Sequence, residues 1–490
     1  MLSEELIDLV NKIRSMKTEM QTIELKAAHE GCPKRLYDTL SSFANQDTGG
    51  ILLFGIDEKQ DYAPVGVYDL QDLQKKVTEQ CNQMMPPIRA VFTVAEIEGK
   101  FVCSAEIPSA DPIDRPCYYL GAGRVKGSYI RVGDADLPMT DYEIYSYEAF
   151  RKHVHDDERT DARVSMSLLD ADKVRHYTER MKEDRPGFSR LTQDQVYEML
   201  AITHDGAPTL AAVLNFGLYP QGYFPQLAVT AIVVPGNHIG DTAEDGVRFQ
   251  DNKRIEGTLS DMLSGALAFC KRNMKVRTRI DPQTGERTDQ TEYPIEAVRE
   301  VILNALIHRD YSHFTEGTPI RIDFFANRLE VHSPGGLYGR MTVEDLGKAR
   351  PDLRNPALAA MSEFLLNTEN RYSGIPTIRR EMKKAGLPAP VFENRRNEFV
   401  VILYNDRQDS MAGTHDLPKR LQNPSRDALL EYCRTPRSRK EIADFLGKST
   451  VFYVMKHFIR PLLVTGKLKM TIPDKPSSRK QKFVTGEGFV

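Results

Sequence analysis

Three acidic side chains near the start of this 490-residue chain have the types and spacing of a divalent-cation site. Glu19 and Glu24 lie five residues apart, and Asp57 ends an apolar run. If the fold brings them together, their hard oxygen atoms suit Mg²⁺ or Mn²⁺. Such an ion can activate water and clamp phosphate oxygens in phosphodiester hydrolysis. Lys26 and Arg131 supply positive charge for a nucleic-acid backbone, so these residues predict either cleavage or binding of nucleic acid.

A structural interpretation of the same segment stays open beside the catalytic one. Glu24 and Lys26 lie two residues apart, which places them on one face of a strand, where they can form an ion pair. The Gly49-Gly50 pair can likewise serve only as a tight turn, because glycine adopts left-handed conformations at little cost. The sequence alone does not choose between an ion-pair network and a metal centre.

The surrounding pattern predicts a domain of alternating strands and helices. The apolar run 51–57 after the two glycines predicts a buried strand, and residues 70–84 have the spacing of a helix that stops before two prolines. Residues 90–97 and 100–107 predict a strand pair, and residues 128–133 predict a further strand.

This region resembles the Schlafen-type AlbA-like domain. The matching elements are the segment 19–26 (EMQTIELK), the tripeptide 43–45 (FAN), the glycine pair, the strand 51–57 (ILLFGID) and the segment 129–136 (YIRVGDAD). Ser42 departs from the alanine usual before the phenylalanine. The resemblance implies an α+β nucleic-acid-binding domain over residues 1–140. In animal Schlafen proteins the domain carries an RNA-cleaving centre of three acids, which the resemblance places on Glu19, Glu24 and Asp57.

The most distinctive stretch in the chain is EAVREVILNALIHRDYS, residues 296–312. Glu300 and Asn304 are four residues apart and therefore share one face of a helix, and His308 continues that face. The stretch resembles the N-box of a GHKL-type ATPase domain, in which the glutamate polarises water and the asparagine holds Mg²⁺. The resemblance implies a site for ATP and Mg²⁺ that includes Gly335, Gly336 and Gly374.

Two departures from the GHKL pattern affect this expectation. Ser333-Pro-Gly-Gly stands where an Asp-x-Gly-x-Gly turn would bind adenine, and Tyr372-Ser373-Gly374 replaces a Gly-x-Gly. Fewer glycines let the backbone approach phosphates less closely. A GHKL-like domain kept only as a scaffold therefore remains an alternative to ATP binding. The chain has no Walker A sequence and no paired motor domains, which argues against a helicase motor.

The end of the chain is basic. Residues 418–490 contain 16 Lys+Arg against 6 Asp+Glu, a local charge of +10, while the rest of the chain carries −13. Three helical segments, the second of which opens with a capping box at Ser438 and Glu441, are followed by two short strands. This order predicts a winged helix-turn-helix, which places the third helix in a DNA major groove. The helix residues expected at the DNA are Ser449, Tyr453 and Lys456, and the wing residues expected at phosphates are Lys475, Arg479 and Lys480. A protein-docking role for this unit is the alternative.

Composition restricts the class of protein. Six cysteines without a C-x-x-C pair argue against a disulfide framework or a cysteine zinc site. The amphipathic start lacks the features of a signal peptide, and no apolar run reaches the ~18 residues of a membrane helix. We therefore expect a cytoplasmic protein.

The expected fold class is α+β multidomain: an AlbA-like domain (1–140), a helical connector (141–200), a GHKL-like α/β sandwich (201–404), a linker (405–418) and a winged helix (419–490). The favoured function is a transcriptional regulator that binds double-stranded DNA, with a nucleotide-sensing middle domain. The alternatives are a metal-dependent ribonuclease acting on structured RNA and a non-catalytic scaffold. Winged-helix regulators commonly read two half-sites, so a homodimer is expected.

Overall fold

The structure is a computed structural model. It describes residues 1–18, 20–243, 245–280, 287–366, 373–395 and 397–405, and, in the C-terminal part, residues 429–430, 432–435, 437–439, 441–442, 455, 459, 462–463, 467–471 and 482–485. The chain divides into two compact units, Met1–Asn405 and Asp406–Val490. The described residues form a mixed α/β structure with several sheets and 12 α-helices.

The front of the first unit alternates short helices and strands. Its elements are α1 (Ser3–Met16), β1 (Ile23–Lys26), α2 (Tyr37–Ala44), β2 (Gly50–Phe54), β3 (Ile56–Asp57), β4 (Ala63–Pro64), α3 (Leu70–Asn82), β5 (Met84–Met85), β6 (Val91–Ile97), β7 (Lys100–Ile107), β8 (Tyr118–Tyr119), α4 (Gly123–Gly127), β9 (Tyr129–Val132) and β10 (Ala135–Pro138).

A four-stranded sheet in the order β1-β2-β7-β6 forms the centre of this region. The pair β1–β2 is parallel and the other two pairs are antiparallel. Leu6, Val10 and Ile13 lie on one face of α1 and are buried against the sheet. Helices α2 and α3 contribute to a second apolar cluster that contains other side chains of the same strands. The sheet therefore has apolar cores on both faces.

The Gly49-Gly50 pair is required by close packing. Gly49 has a φ of +65°, and a Cβ there would lie 2.4 Å from the carbonyl oxygen of Ile107. A Cβ on Gly50 would lie 2.3 Å from the ring of Phe43, so the second glycine makes room for that side chain. The adjoining Asn45 donates from Nδ2 to the carbonyl oxygens of Cys117 (2.9 Å) and Tyr129 (3.1 Å). The glycine pair and Asn45 thus fix how α2 and β2 pack against the segments around Ile107, Cys117 and Tyr129.

The rest of the first unit contains a helical segment and a large sheet. Its elements are α5 (Asp141–Lys152), α6 (Ala171–Asp184), α7 (Gln193–Met199), β11 (Thr203–His204), β12 (Ala207–Pro208), α8 (Leu210–Phe216), β13 (Val229–Val233), β14 (Asp251–Ile255), α9 (Leu259–Asn273), β15 (Val276–Ile280), β16 (Arg287–Thr291), α10 (Ile295–His308), β17 (Ile320–Phe324), β18 (Arg328–Pro334), α11 (Pro356–Leu365), α12 (Gly374–Lys384), β19 (Val391–Arg395) and β20 (Glu398–Tyr404).

The large sheet has six strands in the order β14-β13-β17-β18-β20-β19. The pair β13–β17 is parallel, and the other pairs are antiparallel. Alternate side chains such as Ile322, Val331 and Leu403 join the main apolar core with helices α8 to α12. The side chains between them point to the opposite sheet face, where Val400, Ile402 and Tyr404 form a small separate cluster. This alternation is the two-residue period of a strand.

In the second unit, the described residues include β21 (Arg437–Ser438), β22 (Leu468–Met470) and β23 (Lys482–Thr485). They form an antiparallel sheet in the order β21-β23-β22. The predicted capping box at Ser438 and Glu441 is present: Ser438 N–H donates to the Glu441 carboxylate (2.7 Å), and Glu441 N–H donates to Ser438 Oγ (3.3 Å). Buried apolar residues from Leu429 to Phe483 give the unit its own core.

Candidate functional site

Helix α10 separates the apolar core from a cavity of about 380 Å³. Residues such as Val298 and Ile302 on one face of the helix are buried in the core. Glu300, Asn304 and His308, at four-residue steps, line the cavity on the other face. The volume falls within the ~300–1,000 Å³ typical of small-molecule sites.

The structure brings the five residues predicted to bind a cofactor onto this one cavity. Glu300, Asn304, Gly335, Gly336 and Gly374 all line it. They come from α10, from the turn after β18 and from the first turn of α12. The helical period alone places Glu300 and Asn304 on one face of α10. The tertiary fold then brings the three glycines next to them.

Two of these glycines are needed for close approach. Gly335 has a φ of +90°, and a Cβ there would lie 2.4 Å from Asp310 Cβ. A Cβ on Gly374 would lie 3.1 Å from both Asn304 Nδ2 and Glu300 Oε2. The N-terminus of α12 therefore sits directly beside the two polar side chains of α10. Free backbone N–H groups and the helix dipole at such a terminus favour an anionic ligand.

The two polar side chains of α10 differ in their surroundings. Burial raises the pKa of Glu300, and Arg299, whose Nη1 lies 3.1 Å from Oε1, opposes that rise. The Asn304 amide has no hydrogen-bond partner among the residues that the structure describes. An amide oxygen without a protein partner at the cavity wall is available as a ligand for a hard cation.

Arg354 is a functional candidate that the sequence reasoning missed. Its side chain is only 7% exposed, and Nη2 donates to the carbonyl oxygen of Gly336 at 3.0 Å. Nη1 is buried, has no hydrogen-bond partner among the residues that the structure describes, and lies 4.0 Å from Asp310 Oδ2. Arg354 lines the cavity, and a guanidinium in that position is suited to phosphate. In the sequence, Arg354 opens the segment RNPALAA (354–360), which does not by itself mark the arginine as a ligand.

Asp310 connects this wall to α5. Its carboxylate accepts from the backbone N–H of Ser312 (2.7 Å) and from the hydroxyl of Tyr142 (2.9 Å). Burial alone would raise its pKa, but Arg354 and the hydrogen bonds hold the pKa below its ordinary value. Asp310 is therefore a carboxylate that fixes the position of Arg354.

Ser333 stands where a GHKL site would present an adenine-binding aspartate. Its hydroxyl is buried and donates to the carbonyl oxygen of Ala305 at 3.2 Å. The side chain joins β18 to α10, although the residue also borders the cavity. No carboxylate replaces the missing aspartate at this position.

The candidate residues of the front region form an ion-pair network. Glu24 contacts Lys26 Nζ at 2.5 Å and Arg131 Nη2 at 2.8 Å. Arg131 also pairs with Asp136 at 2.9 Å, and its side chain is 1% exposed. The structure therefore places Arg131 inside the domain, between two carboxylates and over the ring of Phe43. Its predicted contact with nucleic acid stays a prediction.

Asp57 and Glu19 are the other two residues predicted to bind a metal ion. Asp57 caps a short 3₁₀ turn by accepting from Lys59 N–H (2.9 Å) and Gln60 Nε2 (3.0 Å). Glu19 is outside the described residues. Among the residues that are described, no group of three close metal-ligand atoms includes Glu24 or Asp57. The three-acid centre remains a prediction.

The six C-terminal residues expected at DNA also fall outside the described part of the chain. They are Ser449, Tyr453, Lys456, Lys475, Arg479 and Lys480. No helix among the described residues has both the length and the apolar character needed to cross a membrane.

Comparison with protein families identifies two domains. Residues 19–140 match the family described as "Schlafen, AlbA_2". Residues 317–403 match the family described as "Putative ATP-dependent DNA helicase recG C-terminal". The chain thus combines a Schlafen-type AlbA_2 domain with a RecG-like C-terminal domain of the HATPase class. No curated protein matches the chain.

Solved structures give weaker matches. The DIP2311 protein from Corynebacterium diphtheriae is 18% identical, with 99% of this chain and 98% of that chain covered and a TM-score of 0.39. The N-terminal domain of a RecG-related protein from Nitrosomonas europaea is 29% identical, with 27% of this chain and 92% of that chain covered and a TM-score of 0.23. The domain identities therefore rest on the two family matches.

Proposed function

We propose that this protein is a nucleic-acid-binding regulator whose HATPase-type domain binds ATP with Mg²⁺. The observation that carries the nucleotide proposal is the convergence of Glu300, Asn304, the start of α12 and Arg354 on one cavity. Turnover is not part of the proposal. Ser333 replaces the adenine-binding aspartate of a working GHKL site, so the contacts to phosphate and Mg²⁺ must carry the binding.

The chemistry of the cavity suits a magnesium-bound triphosphate. The Asn304 amide oxygen and the Glu300 carboxylate are hard ligands of the kind that Mg²⁺ prefers. The guanidinium of Arg354 and the N-terminus of α12 provide two kinds of phosphate contact. Together these groups offer oxygen ligands to the cation and hydrogen-bond donors to the anion, within a single cavity.

Two observations support nucleic-acid binding. The front domain matches the AlbA_2 family, and residues 418–490 carry a net charge of +10. The three-stranded sheet and the Ser438 capping box are compatible with the winged helix that we propose for the second unit. Double-stranded DNA as the target, transcription as the process and a homodimer as the binding form belong to the same proposal.

Calorimetry with full-length protein and ATP·Mg²⁺ tests the nucleotide site. Replacing Arg354 with methionine removes a charged hydrogen bond worth ~1.5–3 kcal/mol, so affinity should fall roughly 10- to 150-fold. Asn304→Ala should abolish the dependence of binding on Mg²⁺. The matched control is Arg272→Met, because Arg272 pairs with Asp251 at the surface of the same domain.

The nucleotide proposal fails if wild-type protein gives no heat with millimolar ATP·Mg²⁺. It also fails if Arg354→Met and Arg272→Met bind ATP equally well. Circular dichroism of each variant establishes that the fold is retained.

Gel shifts with duplex DNA and with tRNA, in Mn²⁺ or in EDTA, test the nucleic-acid proposal. Retarded DNA without cleavage is the expected result. Deleting residues 419–490 should weaken binding and reduce its salt dependence, since each neutralised phosphate contributes ~0.9 to the slope of log K against log salt. Metal-dependent cleavage that Glu24→Ala removes would instead establish the ribonuclease alternative. If the protein neither retards nor cleaves nucleic acid, the result would favour the non-catalytic scaffold.

A further inference from the structure

A second group of polar residues lies on the sheet face opposite the main core. Asp323 in β17 is paired with Glu330 in β18, and Arg321 is paired with His332. Paired residues of antiparallel strands, and residues two apart on a strand, share a face. The strand register therefore brings Asp323, Glu330 and His332 together. None of the three lines the cavity beside α10.

The three side chains converge on one point. His332 Nε2 lies 3.0 Å from Glu330 Oε2 and 3.5 Å from Asp323 Oδ2. Among the described residues, this is the one group of three in which a ligand atom from each residue lies within 4.8 Å of the others. The side chains of Asp323 and His332 are each 6% exposed, and that of Glu330 is 11% exposed.

The Asp323 carboxylate is poorly satisfied for a buried anion. It has no hydrogen-bond donor among the residues that the structure describes, and its nearest cationic contacts are His332 at 3.5 Å and Arg321 at 4.0 Å. Buried polar groups in folded proteins nearly always have a closer partner. This oxygen, aimed at an imidazole nitrogen, indicates a missing ligand between them.

Neighbouring groups orient the other two candidate ligands. His332 Nδ1 lies 3.1 Å from Arg321 Nη2 and 3.2 Å from a Glu398 oxygen. In the tautomer in which Nδ1 donates to Glu398, Nε2 is unprotonated, as in sites where a carboxylate orients a metal-binding histidine. Arg328 Nε contacts Glu330 Oε1 at 2.5 Å, which leaves Oε2 for the shared point. The candidate ligand side chains of His332 and Glu330 are thus held in place by residues outside the group of three.

A cavity of about 370 Å³ adjoins the cluster at His332. Its lining includes His332, Glu398 and Arg321, together with Tyr142 and Phe314. The cavity therefore borders the imidazole of His332 and the polar side chains on its Nδ1 side.

We propose that Asp323, Glu330 and His332 form a binding site for a divalent transition-metal ion of the Zn²⁺ or Mn²⁺ class. One imidazole nitrogen and two carboxylate oxygens form a donor set that such ions accept. Three protein ligands leave a coordination position for water. The competing occupant is a proton, which would make His332 an imidazolium in an ion-pair network.

Calorimetric titration of full-length protein with Zn²⁺ distinguishes the two occupants. The site predicts one Zn²⁺ per chain in the wild type. His332→Gln should weaken binding by more than the ~10–100-fold typical for the loss of an outer partner. Glu398→Gln should fall within that range. The matched control is His313→Gln, because His313 is exposed and 3.8 Å from Glu316, so it should bind like the wild type.

Two results would overturn the metal site: no binding of Zn²⁺ by wild-type protein, or equal binding by the His332 and His313 variants. Asp323→Asn, which is nearly isosteric, provides a second test of the same prediction. If either variant fails to fold, zinc-edge X-ray absorption of the wild type decides. One imidazole with oxygen ligands supports the site, and any other ligand set, sulfur included, overturns it.

Discussion

The Asp157 carboxyl group makes the stability of the first unit depend on pH. Its residue is fully buried, and Oδ2 accepts from the backbone N–H of Leu358 at 2.9 Å, in the first turn of α11. The other oxygen, Oδ1, is buried and has no hydrogen bond within the part of the chain that the structure describes. Burial raises the pKa of Asp157 from 3.8 to about 7, while the Leu358 N–H and nearby His155 oppose the rise.

The sign of the effect follows from proton uptake. Between pH ~4 and ~7 the folded state binds a proton that the unfolded state has lost, so stability falls as pH rises through this window and is level above it. At ~1.36 kcal/mol per pKa unit, the full loss is at most ~4 kcal/mol. Asp157→Asn has no charge to titrate and keeps an acceptor for Leu358 N–H, so it should lack this loss.

Urea unfolding followed by far-ultraviolet circular dichroism, at pH 5 and pH 8, measures the difference. About two of the three pKa units lie above pH 5, so we expect the wild type to lose up to ~3 kcal/mol more than Asp157→Asn between these two pH values. The control is Asp161→Asn, because Arg163 lowers the pKa of Asp161 to about 2 and its titration lies below the window. Equal pH slopes for the wild type and Asp157→Asn would refute the reasoning.

Two further substitutions test the front domain. Gly50→Ala should cost ~1–3 kcal/mol in thermal unfolding, because the new Cβ meets the Phe43 ring at 2.3 Å; an unchanged Tm would contradict the packing. Arg131→Met should cost ~3–5 kcal/mol, because it leaves Glu24 and Asp136 without their buried partner. A stable Arg131→Met protein that has lost nucleic-acid affinity would instead show that Arg131 serves binding.

The sequence predicted those parts of the site that depend on a local period. Glu300 and Asn304 share a cavity wall because residues four apart lie on one helix face. The capping box at Ser438 is equally local, since its two partners are three residues apart. The front strands at 51–57 and 100–107 followed from apolar runs, although Gly55, with a φ of +94°, interrupts the first of them.

Contacts between distant segments were beyond sequence reasoning. Arg354 lies next to Asp310 only because the loop before α11 folds back onto the end of α10. The group of Asp323, Glu330 and His332 depends on the register of β17 against β18, which no local pattern specifies. Arg131 was expected at a phosphate, but sequence does not reveal whether a lone arginine is buried.

The position of Asp310 has a consequence for communication within the first unit. Tyr142, at the start of α5, holds one oxygen of a carboxylate whose charge also attracts the cavity residue Arg354. A ligand that draws Arg354 toward itself weakens that attraction and so alters the hydrogen bond to α5, which directly follows the AlbA_2 domain. Linkage is reciprocal. If a second ligand binds and shifts α5, it must change the affinity for the cavity ligand by the same factor by which the cavity ligand changes the affinity of the second. The hydrogen bond of Tyr142 therefore sets how strongly ligand binding in one domain affects binding in the other.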